Sequence, residues 1–150
     1  MLTGTSSELF GRYLLTRRIA VGGMAEVYKA TYNPGGTFEK KVCIKRILPQ
    51  LAEDESFVSL FQNEAAINVH LSHANIVQVF DFGQIGSEYF LAMEFVEGQN
   101  LSTVINRVRS VGVFLPPSMS LTIAAEVAKG LDYAHTRTDA QGRPLNIIHR

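Results

Sequence analysis

Val21-Gly22-Gly23-Met24-Ala25-Glu26-Val27-Tyr28-Lys29-Ala30, with Val42-Cys43-Ile44-Lys45 downstream, is the stretch on which the fold turns. Residues 13–20 alternate as a strand does, the two glycines interrupt them, and residues 26–31 alternate again. A glycine turn between two strands is not a dinucleotide-binding turn, which needs a helix directly after its glycines to receive the pyrophosphate. Backbone bare of side chains can approach a polyphosphate and donate N–H groups to it, although an ordinary hairpin has the same composition. Asn33-Pro34-Gly35-Gly36 reads as a further turn, leading to a third strand over residues 41–47 and closing an antiparallel meander.

In that third strand Lys45 shares a face with Cys43 and Ile47, so its ammonium is directed toward a half-buried side. Glu53-Asp54-Glu55 then places negative charge where a helix N-terminus favours it, and Phe57, Leu60, Phe61, Ile67 and Leu71 recur at helical spacing. Glu64 falls on the same stripe, four residues after Leu60 and three before Ile67. Two inward charges of opposite sign each need a partner, and the spacing predicts that they find one another. Such a pair can be purely structural; beneath a glycine turn it can instead present a fixed cation to phosphate oxygens.

Further strands are expected over residues 76–82 and 88–95, around a turn at 83–87. The fold class is α+β: a five-stranded antiparallel sheet with one main helix, then the first helices of a helical lobe. Those helices are expected over residues 101–108 and from Pro116-Pro117 to about Thr136, the second with an apolar core face of Ile123, Val127, Leu131 and Ala134. A polar loop over 138–144 and a short apolar strand over 145–148 follow. The expected domains are a lead (1–12), a sheet-rich lobe with its linker (13–97) and the start of a helical lobe (98–150).

With 46% hydrophobic and 19% charged residues, the 150-residue chain has the composition of a globular protein. Lys+Arg and Asp+Glu are 14 each, which leaves no broad field for nucleic acid or an anionic membrane, so any phosphate recognition is local. One cysteine excludes an internal disulfide, and no apolar run is long enough to span a bilayer; the chain reads as cytoplasmic. His70, His73, His135 and His149 are not grouped with acidic or cysteine partners at a ligand spacing, so no metal site is expected within the chain.

The ordered series of the glycine turn, Val42-Cys43-Ile44-Lys45, Glu64, His73-Ala74-Asn75-Ile76-Val77, Met93-Glu94-Phe95-Val96-Glu97-Gly98 and Ile147-Ile148-His149-Arg150 resembles the eukaryotic-type serine/threonine protein kinases, most of all their bacterial branch. The resemblance implies a kinase-like fold, ATP and magnesium as cofactors, and transfer of the γ-phosphate to a Ser or Thr hydroxyl of a protein substrate. It implies that Ile19, Ala20, Val21, Gly22, Gly23, Met24 and Ala25 form a lid over the nucleotide, and that Lys45 holds its α and β phosphates, anchored by Glu64. Val27 and Cys43 would enclose the adenine, Met93 would stand at the back of the pocket, and Glu94 and Val96 would bond the adenine edge or the ribose side. His149 and Arg150 would open the catalytic loop.

Ala20 and Ala25 stand where the family usually has its first and third loop glycines, Cys43 replaces the commoner alanine, and Asn68 replaces an apolar residue one turn after Glu64. The family's catalytic aspartate and metal ligands follow the His-Arg pair, so the 150 residues alone are expected to be inactive and to be the front part of a longer kinase. Alternatives are a catalytically dead pseudokinase or truncated nucleotide-binding module, and a metabolic nucleotide-binding enzyme, which would lack a Lys45–Glu64 contact.

Overall fold

The computed structural model describes residues 7–32 and 39–148; the turn expected at Asn33-Pro34-Gly35-Gly36, and His149 and Arg150, lie outside the described residues. The chain divides into two units, one comprising the described residues up to Ser72 together with Val77–Phe95, the other comprising His73–Ile76 and the described residues from Val96 onward.

The first unit is built on an antiparallel sheet of six strands: β1 (Glu8–Phe10), β2 (Tyr13–Val21), β3 (Ala25–Tyr32), β4 (Lys40–Ile47), β5 (Val79–Ile85) and β6 (Glu88–Glu94). Their order is β1-β2-β3-β4-β6-β5. Five strands are expected from the sequence; the sixth, β1, lies in what reads as a polar lead. Phe10 explains it, since this ring is only 3% exposed, meets Phe90 edge-on at 5.5 Å, and draws its short segment against β2. Gly11, between β1 and β2, has φ +55°, and a Cβ there would stand 2.6 Å from Ile85 Cδ1. Gly11→Ala should therefore cost about 1–2 kcal/mol from backbone strain alone, and denaturant unfolding of the variant checks it.

β5 begins three residues later than expected and runs through Gly83 to Ile85, so the turn shortens to Gly86, with φ +61°, and Ser87. Gly83 lies inside the strand opposite Phe90, where a Cβ would press to 3.1 Å on that ring. Both faces of β4 are covered: Val42 and Ile44 join Phe10, Tyr13, Leu15 and Phe90 on one side, while Ile47 joins Phe61, Ala65, Val79 and Leu91 on the other. A strand buried on both faces reads as a nearly continuous apolar run, which is how residues 42–47 look apart from their two cations.

Between β4 and β5 lies α1 (Glu55–Val69), preceded by a single 3-10 turn at Pro49–Leu51. Asp54 caps it, accepting from the Ser56 backbone N–H at 2.9 Å, and Glu55 adds negative charge to the first turn. The Ser56 hydroxyl and backbone N–H together hold the Asp54 carboxyl below its ordinary range.

The second unit carries α2 (Leu101–Ser110), capped by Asn100, whose side chain accepts from Thr103 N–H at 2.8 Å, and α3 (Pro117–His135). The buried positions of α3 are Gly130 and Ala134, whereas Val127 and Leu131 of the expected apolar face are exposed. Among the described residues, the covered side of α3 is the one on which residues 73–76 pack: the Asn75 amide donates to the Glu126 carbonyl at 2.8 Å, and a Cβ at Gly130 would lie 3.3 Å from the Asn75 carbonyl. Residues 145–148, expected as a strand, form no ladder; Asn146 has φ +49°, and the loop before them closes through a bridge between Thr138 and Pro144. No described helix is long and apolar enough to cross a membrane.

Candidate functional site

Opposite residues of an antiparallel pair share a face, so the register of β3, β4 and β6 places the candidate side chains. Val27 stands opposite Lys45, which stands opposite Leu91; one row further, Lys29 stands opposite Cys43, which stands opposite Met93. Val27, Lys45, Cys43 and Met93 thus occupy one face, and Ala20 joins it as the partner of Val27 on β2. The same face carries α1, at Ile47 and Leu91.

Lys45 and Glu64 meet as expected: Lys45 Nζ donates to both carboxylate oxygens of Glu64 at 2.7 Å. Neither is fully buried, with side-chain exposures of 27% and 43%, so the pair stays open to a ligand. An ion pair this exposed adds about 1 kcal/mol or less to stability, too little to account for an inward lysine by itself. Asn68 does not join an apolar column; its amide donates back to the Glu64 carbonyl at 2.8 Å, within the same helix.

Above this face the chain turns through Gly22, Gly23 and Met24, closed by the Gly22 N–H donating to the Ala25 carbonyl at 2.8 Å. Neither glycine has a positive φ, and a Cβ on Gly23 would meet nothing within 4 Å. Among the described residues, then, nothing in the chain itself demands a glycine at Gly23. β2 enters the turn through two β-bulges, between Leu15 and Arg17 and between Arg18 and Ala20. Ile19, Ala20, Val21 and Met24 are exposed along it, and Ala25 is buried.

Cys43 is buried, and burial pushes its thiol up from the ordinary range, as befits a small core side chain and not a reactive thiolate. Met93 is half-buried and Glu94 exposed at the end of β6, while Val96 falls in the second unit, where it is exposed. Among the described residues no three His, Cys, Asp or Glu side chains gather as a metal site. His73 is engaged otherwise, accepting from the Asn75 N–H at 3.1 Å and packing 5.0 Å from the Tyr133 ring.

Sequence reasoning passes over Arg46, which points to the opposite face from Lys45. It is 8% exposed and carries an ion-pair network with Glu8, Glu26 and Glu88. Its signal was available in the strand period: a charge next to an inward lysine must face the other side, and that side is apolar too.

The protein kinase domain matches residues 13–150. The chain belongs to the protein kinase domain family. The tyrosine-protein kinase MasK of Myxococcus xanthus is 37% identical over 94% of the chain, and the serine/threonine-protein kinase PrkC of Bacillus subtilis is 33% identical over all of it. The chain spans about a fifth of each of these relatives, 22% and 20%. A crystal structure of the Mycobacterium tuberculosis PknI kinase domain matches with a TM-score of 0.67 and 30% identity, over 88% of this chain and 51% of that one. The kinase-like α+β fold expected from the motif series is therefore the observed one, and the chain corresponds to the N-terminal part of a kinase domain.

Proposed function

We propose that this chain forms the nucleotide-holding part of a protein kinase that transfers the γ-phosphate of ATP to a Ser or Thr hydroxyl of a protein. The observation that carries this is the Lys45–Glu64 contact on the face below the glycine turn. A carboxylate bonding the ammonium through both oxygens fixes it in place while leaving it partly exposed, so it can meet phosphate oxygens without reorganising at the moment of reaction. Gly22 and Gly23 suit the lid, since a bare backbone leaves room for phosphates to approach. Ala20, Val27 and Cys43 offer small or branched apolar surface to an adenine ring, with Met93 beside them and Glu94 at the strand end.

The described donor set fits a nucleotide and does not by itself fit magnesium. When bound, the metal neutralises phosphate charge; what these residues supply is binding and orientation. We place the domain in the cytoplasm, on its balanced charge and its free, buried cysteine.

A tyrosine acceptor is the second reading, because MasK is named a tyrosine kinase. Incubating the full-length protein with labelled ATP and a mixed Ser/Thr/Tyr substrate, followed by phosphoamino-acid analysis, tests both. Labelled phosphoserine or phosphothreonine is expected; label confined to phosphotyrosine favours the second reading, and no incorporation together with no ATP binding by calorimetry defeats the kinase assignment.

A further inference from the structure

Lys45 and Arg46 are neighbours on β4 and so stand on opposite faces of the sheet. On the face away from α1, Arg46 donates to Glu8 at 2.9 Å and to the Tyr28 hydroxyl at 3.0 Å, and its guanidinium lies 3.6 Å from Glu26 and 3.5 Å from Glu88. Glu26 is the junction. Its Oε1 accepts from Arg18 at 2.8 Å, on the strand entering the glycine turn, while its Oε2 accepts from the Tyr28 hydroxyl at 2.6 Å and faces Arg46. Tyr28 first and then Arg18 hold this carboxyl below its ordinary range, so it is charged near neutral pH.

Glu26 follows Ala25, whose carbonyl closes the glycine turn, and it pairs across with Val21, the last residue of β2. The chain Arg18, Glu26, Arg46 therefore crosses β2, β3 and β4 at the base of the lid. A lid with two glycines has much conformational freedom to lose when it closes over a ligand, and fixing its base reduces that loss. A guanidinium suits the task better than an ammonium, because its rigid fork can hold several acceptors at once.

We propose that Arg46 is a positioning residue: through Glu26 it holds the base of the glycine lid in the geometry that receives the polyphosphate. This rests on the nucleotide-site reading above. The lid acts on phosphates and not on the base, so losing the anchor weakens ATP selectively.

In the full-length protein, Arg46→Met is expected to raise the Kd for ATP about tenfold and that for adenosine by less than about twofold, both by calorimetry. Glu26→Gln, which keeps the shape and removes the charge, is expected to act in the same direction and decides the matter if Arg46→Met does not fold. Unchanged ATP affinity in the folded variants, or equal weakening of ATP and adenosine, overturns the proposal. Lys45→Ala separates the two levels: if it leaves ATP binding intact, the site reading falls and the anchor with it, whereas a Lys45 effect without a Glu26 effect removes the anchor alone.

Discussion

Lys45→Met in the full-length protein is expected to reduce kcat/KM for phosphoryl transfer by on the order of 10²–10³-fold, the usual cost of deleting one preorganised group that meets developing or transferring charge. The expectation follows from geometry: Nζ lies 2.7 Å from both Glu64 oxygens, so the ammonium is held at one place and needs no rearrangement. Lys45→Arg should not restore the rate, because a planar fork cannot occupy the position of a point charge on a flexible stem. Glu64→Gln should fall short of the Lys45 loss, since the cation remains but is less firmly placed. Steady-state kinetics with ATP varied, beside circular dichroism to show that the variants fold, decides this. Activity of Lys45→Met within tenfold of the parent would mean that the cation is only structural.

The second large effect is on stability. Phe10→Ala is expected to destabilise the protein by about 3–5 kcal/mol, through lost burial and the cavity left among Tyr13, Phe90 and their neighbours. That should lower Tm by roughly 10 °C or more. Phe10 lies outside the residues that match the kinase family, which begin at Tyr13, yet it is among the most buried side chains of the sheet. Calorimetric melting checks the prediction, and a loss below about 1 kcal/mol would show that β1 packs only loosely.

The meander of three strands, the helix after it and the meeting of Lys45 with Glu64 were all legible, because each rests on a period: two along a strand, 3.6 along a helix. What was not legible depended on a single residue against a partner distant in sequence. Residues 1–12 are mostly polar, and nothing in their pattern announces that Phe10 finds Phe90. Likewise, among the described residues, the covered side of α3 includes Gly130, which has no hydrophobic signal at all, beside Ala134 of the expected apolar face. Residues 145–148 are apolar enough for a strand, yet they form no ladder with any described residue. At the candidate site the role of Arg46 was hidden by the same rule: its alternation is plain, but its three carboxylates come from β1, β3 and β6.

The paired bulges of β2 bear on how this gene can tolerate change. Between Leu15 and Ala20 the strand advances by five residues while β3 advances by three, from Ala30 to Val27. Both intervals are odd, so the two strands stay in step, side chain for side chain, at either end. Loss of one codon in that interval would remove one bulge and keep the other, because a single bulge sets two residues of one strand against one of its neighbour while the flanking pairs keep their faces. Removal of two codons would leave a regular ladder with Leu15 and Ala20 still opposite Ala30 and Val27, so short in-frame deletions here should straighten β2 before they turn its side chains over.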